Sequence, residues 1–130
     1  MVPKTILVVD DEFYAAEILT FVLEDEGYRV LSAFNGRDAL EKIRRTGVDL
    51  IVLDVMMPIM NGAEMARAVR ADTTLASIPI LVTSALPEQT IQGMFGYLDG
   101  FLRKPFQMKA AITAVRRLLG DDPPPPGSAS

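Results

Sequence analysis

The stretch LIVLDVMMPIMNG, Leu50 to Gly62, decides how the chain is read. Leu50 to Leu53 form an apolar run that does not alternate polar with apolar residues, the pattern of a strand covered on both faces. The run ends on a lone carboxylate, Asp54, and the turn signals Pro58 and Asn61-Gly62 follow. A carboxylate at the rim of a hydrophobic sheet is costly unless something pairs with it. Its partner has to come from elsewhere in the chain.

Four further runs read as strands, giving five in all: Thr5–Asp10, Arg29–Ala33, Asp49–Asp54, Ile80–Ser84 and Gly100–Arg103. Helical spacing fills the gaps. Ala15, Ile18, Leu19, Val22 and Leu23 mark one apolar stripe, and Ala39, Leu40 and Ile43 a shorter one. Met65, Ala66 and Val69 mark a third, and Met108, Ala111, Ile112, Val115 and Leu119 the last. Gly27, Gly47 and Gly120 stand where helices should stop. The segment Leu86–Leu98 is weaker. It holds Pro87, Gly93 and Gly96, and each glycine costs roughly 1 kcal/mol inside a helix. A short or mobile fourth helix is expected there. Strands alternating with helices predict an α/β fold, a doubly wound five-stranded parallel sheet with helices on both faces and right-handed crossovers. Residues 1–120 read as one domain. Residues 121–130, DDPPPPGSAS, read as a proline-rich flexible tail or linker remnant.

The 130 residues carry a net charge of -4. An acidic chain is a poor non-specific ligand for nucleic acid, so no direct nucleic-acid binding is expected. The pairs Arg44-Arg45 and Arg116-Arg117 read as solvated helix faces. There is no cysteine and no histidine. This excludes disulfides, thiolate or imidazole metal sites, a Ser-His-Asp triad and a phosphohistidine carrier. The N-terminal MVPKTILVVDDE is not a signal peptide, and no apolar window approaches a membrane span, so a cytoplasmic protein is expected.

In such sheets ligands sit beyond the carboxyl ends of the strands. Asp10 and Asp11 follow the first strand, Asp54 ends the third, Ser84 ends the fourth, and Lys104 follows the fifth. Each has an ordinary reading alone. Asp10, Asp11 and Glu12 are placed to cap the first helix, Asp54 to open a turn, and Lys104 and Ser84 to sit on the surface. Their common position at one rim favours a joint role. Three clustered carboxylates call for a cation. With oxygen ligands only, a hard ion such as Mg²⁺ fits and leaves room for a phosphate oxygen. Lys104 supplies a point charge for the same anion and Ser84 a hydrogen bond.

With these residues in place, Lys4 to Gly120 resembles the receiver domain of bacterial two-component response regulators, the chemotaxis-type fold. The acidic pair Asp10 and Asp11 resembles that family's metal-binding acids. Asp54, Pro58 and Gly62 meet its phosphoacceptor pattern, and Ser84 before Ala85 its switch hydroxyl. Counting from Pro79, Ser84 rather than Thr83 takes that position. Lys104 and Pro105 match a pair that usually carries a cis peptide, and Phe101 falls on the aromatic switch position. The resemblance implies the flavodoxin-like strand order 2-1-3-4-5. It implies Mg²⁺ (or Mn²⁺) on Asp10, Asp11, Asp54 and the Met56 carbonyl, with phosphate held by Ser84, Ala85 and Lys104. It also implies a phosphoryl group taken by Asp54 from the phosphohistidine of a sensor kinase or histidine phosphotransfer protein, and a readout through the face formed by the fourth helix, fifth strand and fifth helix. The chain would then catalyse only its own phosphorylation and dephosphorylation. Phosphorylation-dependent dimerisation and the identity of the output stay open.

The sequence departs from the family pattern in two places. The segment from Ser84 to Lys104 is about two residues shorter than common in the family. Apolar Met56 and Leu86 occupy positions that tune loss of the phosphoryl group, so slow autodephosphorylation is expected. Three other readings are weighed. A phosphatase of haloacid dehalogenase type needs a general acid two residues after its nucleophile, where this chain has Met56. A flavodoxin-like FMN site needs a hydroxyl- and glycine-rich loop where this chain has Asp10-Asp11-Glu12. The third is a docking module that takes no phosphate.

Overall fold

The computed structural model describes residues 2–121. Five parallel strands lie in the order β2-β1-β3-β4-β5, as expected. They are β1 Thr5–Val9, β2 Arg29–Ala33, β3 Leu50–Asp54, β4 Ile80–Ser84 and β5 Gly100–Arg103. Between and after them run α1 Phe13–Asp25, α2 Gly36–Arg45, α3 Gly62–Ala71, α4 Glu88–Phe95 and α5 Met108–Leu119. Every residue of β1, β3 and β4 is buried, which is why their runs do not alternate. The edge strands β2 and β5 are only partly covered.

The sheet separates two cores. Leu7, Ile51, Leu53, Ile80 and Val82 face α2, α3 and α4 through Ile43, Met65 and Ile91. Ile6, Val8, Leu50, Val52 and Leu81 face α1 and α5 through Leu19, Leu23 and Val115. Odd and even positions on each central strand thus serve opposite layers.

Local signals set the helix ends. Asn35 and Asn61 are N-caps rather than plain turn residues. Asn35 Oδ1 accepts from the Asp38 amide at 2.9 Å, and Asn61 forms a reciprocal capping box with Glu64. Gly120 closes α5 in the left-handed conformation. Helix α2 ends before Thr46 instead, so Gly47 is not its cap. Pro87 and Gly96 bracket the expected weak helix, leaving eight residues.

The expected stripe of α1 needs correction. The buried residues are Ala16, Leu19 and Leu23, at spacings i, i+3 and i+7. Ile18 lies about 100° around the helix from Leu19 and is 55% exposed. The true stripe is narrow, and Phe13, Tyr14 and Phe21 also face solvent. At the other end of the molecule Asp121, the first residue of the expected tail, is held by Lys4 at 3.0 Å and by the Tyr28 hydroxyl at 3.2 Å. The rest of the tail lies outside the described residues.

Candidate phosphoacceptor and metal site

The two-residue alternation explains the site. Ile6 and Val8 on β1, Leu50 and Val52 on β3, and Leu102 on β5 all face the α1–α5 layer. Asp10, Asp54 and Lys104 are the next residues on the same parity, one step beyond the last apolar contact. They therefore meet at the carboxyl ends of three strands. Lys104 Nζ stands 3.1 Å from Asp54 Oδ1 and 3.4 Å from Asp10 Oδ2. Asp10, Asp11 and Asp54 each bring a carboxylate oxygen within 4.8 Å of the others. This ammonium is the partner that the lone carboxylate at the end of β3 requires.

Asp10 is buried and anchored at both ends. Its amide donates to the Ala33 carbonyl at 3.1 Å, and its Oδ1 accepts from the Glu12 amide at 2.9 Å. Asp11 is exposed. The helix-capping reading of these acids fails, because Glu12, the N-cap of α1, makes no side-chain cap and the first turn holds no acid.

Burial pushes the Asp54 carboxyl above its ordinary value. Lys104 opposes that push, but Asp10 and Asp11 reinforce it. For Lys104, burial alone would lower the value, and the attraction of Asp10 and Asp54 outweighs it, so the ammonium is strengthened. One lysine against three carboxylates leaves the cleft short of positive charge. An all-oxygen set with that deficit suits a hard divalent cation.

Ser84 ends β4 on the opposite parity, with Ile80 and Val82 on the α3–α4 side. Its carbonyl accepts from the Lys104 amide at 2.8 Å, and its Oγ accepts from the Leu86 amide at 3.1 Å. Thr83, set aside in the sequence, is the residue paired with Asp54 in the β3–β4 ladder. Ala85 is exposed and its carbonyl accepts from Arg103 Nε at 3.3 Å. Phe101 is partly buried against the α3–α4 core. The Lys104–Pro105 peptide is cis. Met56 is 68% exposed.

Two features go beyond the sequence reading, in which Gly62 is only a position of the phosphoacceptor pattern. Gly62 closes the β3–α3 loop by donating its amide to the Val55 carbonyl at 2.9 Å. A Cβ there would lie 2.6 Å from the Asp54 carbonyl oxygen, so only glycine lets α3 start against the Asp54 backbone. Gly36 similarly sits against Met60. The second feature is an apolar rim. Phe13, Tyr14, Phe34, Met56, Ile59 and Leu86 are all exposed, all on loops or first turns at the site end of the sheet. Phe13 stacks on Phe34 with ring centres 6.4 Å apart. Ile59 holds φ 70°, a strained conformation for a β-branched residue.

Residues 6–116 match the response regulator receiver domain family. The chain belongs to that family. Receiver domains of two-component systems are phosphorylation-driven signalling switches that work with sensor histidine kinases and bind Mg²⁺ in an acidic pocket. The DNA-binding response regulator MtrA of Mycobacterium tuberculosis is 37% identical over 125 residues, covering 93% of this chain and 54% of that protein. This receiver therefore spans about half the length of the curated relatives it matches. The chemotaxis response regulator CheY4 of Vibrio cholerae superposes with a TM-score of 0.83 at 33% identity, over 91% of this chain and 100% of that one. The receiver domain of the sensor histidine kinase PA1611 of Pseudomonas aeruginosa, whose structure has magnesium coordinated in the active-site cleft, gives 0.83 at 25% identity, over 92% and 99%. Membership of this family sets aside the dehalogenase-type phosphatase and the flavin site. Among the described residues no helix is long and apolar enough to cross a membrane.

Proposed function

We propose that this receiver takes a phosphoryl group onto Asp54 from the phosphohistidine of a sensor histidine kinase or a histidine phosphotransfer protein. The observation that carries the reading is the buried Asp54 carboxylate held 3.1 Å from Lys104 inside a three-carboxylate cleft. Asp10, Asp11 and Asp54, with the Met56 carbonyl, are the residues that would hold Mg²⁺ or Mn²⁺. When bound, the metal offsets charge on the transferring group. An Asp54 oxygen attacks phosphorus, a P–O bond forms, the P–N bond breaks, and its electron pair stays with the donor imidazole. Lys104 orients Asp54 before transfer and offers its charge to a phosphoryl oxygen after it. The Ser84 hydroxyl then turns from the Leu86 amide to the phosphoryl group, with the Ala85 amide beside it. Because Ser84 belongs to the α3–α4 side, that turn draws on the layer against which Phe101 packs, and the α4–β5–α5 face changes. The exposed apolar rim supports a macromolecular donor.

We take residues 1–120 as the phosphoacceptor domain and the cell interior as its place of action. Incubation with Mg²⁺ and acetyl phosphate, read by intact mass, should add one phosphoryl group to the wild type and none to Asp54→Ala. Adducts on both proteins would remove Asp54 from the role. A wild type that stays unmodified by acetyl phosphate and by a purified phosphohistidine donor would leave a plain docking module. Met56 and Leu86 offer no group to orient an attacking water, so the aspartyl phosphate should be long-lived. Met56→Asn should shorten its lifetime several-fold, and an unchanged decay would refute that account.

A further inference from the structure

Between α3 and α4 lies a cleft of about 290 Å³ that the phosphoacceptor chemistry does not use. One wall is a stripe of α3, Ala63, Ala66 and Arg67. Ile80 and Val82 of β4 close the bottom but are almost fully buried, and the accessible apolar surface is the opposite wall, Phe95 at the end of α4 with Tyr97 and Leu98 after it. The cleft exists because small alanines face a helix of only eight residues with a single buried side chain, Ile91.

The charges lining it are not equivalent. Arg70 is committed: it donates to the Ala76 and Ile78 carbonyls at 2.8 Å each and pairs with Asp99. Asp99 is answered by Arg70 and by the Ile80 amide at 2.9 Å. Arg67, by contrast, makes no ion pair or hydrogen bond among the described residues. The cleft therefore offers an apolar wall and one uncommitted guanidinium at its edge. A guanidinium fork suits a carboxylate. The volume falls at the low end of small-molecule sites.

We propose that the α3–α4 cleft binds a small apolar carboxylate, of the size of a medium-chain fatty acid, with its chain on Phe95, Tyr97 and Leu98 and its carboxylate on Arg67. The site is separate from Asp54, and its occupant lies against α4.

Octanoate and its neutral isostere octanamide are the probes, titrated into the ¹⁵N-labelled chain and followed by amide shifts. Octanoate should move the amides of Ala63, Ala66, Ile80 and Val82 and bind about tenfold more tightly than octanamide, the increment of one charge-assisted contact. Arg67→Gln, an exposed change, should bring the two ligands within about twofold of each other. Ala66→Leu should weaken both by filling the cleft. Asp54→Ala should leave octanoate affinity unchanged. Equal affinities in the wild type, a ratio untouched by Arg67→Gln, shifts confined to other surfaces, or no octanoate binding would each overturn the proposal. Affinity lost in Asp54→Ala would place the anion in the phosphoacceptor cleft and overturn it too.

Discussion

Helices α3 and α4 cover the same side of the sheet, the side carrying Leu53 and Val82, yet they are held very differently. Helix α3 opens with a capping box and buries Gly62, Ala63, Met65, Ala66 and Val69. Its first residue rests on the backbone of Asp54 and Val55. Helix α4 follows Pro87 without a side-chain cap, buries Ile91 alone and carries Gly93 in its interior. A cap is worth about 1 kcal/mol and each buried aliphatic side chain about 1.5–3 kcal/mol. The helix next to Asp54 is therefore fixed, and the helix on the proposed signalling face is lightly held. The division suits a switch whose chemistry needs a rigid carboxylate and whose readout needs a movable surface.

The sharpest way to break this contrast is to disturb the fixed end. Gly62→Ala places a methyl group within 3 Å of backbone atoms that cannot swing aside. It should cost roughly 2–3 kcal/mol in urea unfolding, because β3 or α3 must shift. A cost below about 0.5 kcal/mol, the range of ordinary surface changes, would show that the β3–α3 junction yields, and the fixed half of the contrast would fall.

The next effect concerns the charge that the fixed half carries. Burial and the neighbouring acids raise the Asp54 carboxyl above 3.8. A carboxyl raised in the folded state destabilises that state wherever it is ionised. The cost is full at pH values above the raised folded value and disappears as pH falls below 3.8. In metal-free buffer at pH 7, Asp54→Asn should therefore be more stable than the wild type, by about 1–2 kcal/mol. The gap should close on acidification, and millimolar Mg²⁺ should stabilise the wild type but not the variant. A variant less stable than the wild type at pH 7 would mean that the Lys104 pair stabilises the fold outright.

The sequence carried the fixed half more fully than the loose one. Unbroken apolar runs located β1, β3 and β4, because strands buried on both faces have no polar alternation to confuse the reading. Asp10, Asp54 and Lys104 followed from the strand ends. Gly62 was marked by the phosphoacceptor pattern, but its reason, a close approach to the backbone of the residue eight earlier, is visible only in the fold. Helix α1 was misread for a related cause. Its sequence holds more apolar residues than the sheet covers, so Ile18, marked as core, faces water with Phe13, Tyr14 and Phe21. Composition alone cannot distinguish a wide buried stripe from a narrow one beside an exposed apolar face. The weakness of α4 was visible in Gly93 and Gly96, while the cleft it leaves against α3 depends on tertiary placement.

The smallest effect tests the loose half directly. Gly93 lies in α4, is exposed, and a Cβ there would meet nothing within 4 Å. Gly93→Ala should therefore favour the helix by about 0.5–1 kcal/mol, through helix propensity and a less flexible unfolded chain. Where that gain appears decides the matter. If α4 opens on its own, amide exchange in Glu88–Phe95 should slow about two- to fivefold, while amides in α3 and the urea midpoint barely move. If the urea midpoint takes the whole gain and α3 slows together with α4, the two helices unfold as one unit. The contrast would then be one of packing alone, and the movement of the signalling face would have to come from β5 and the Phe101 side chain.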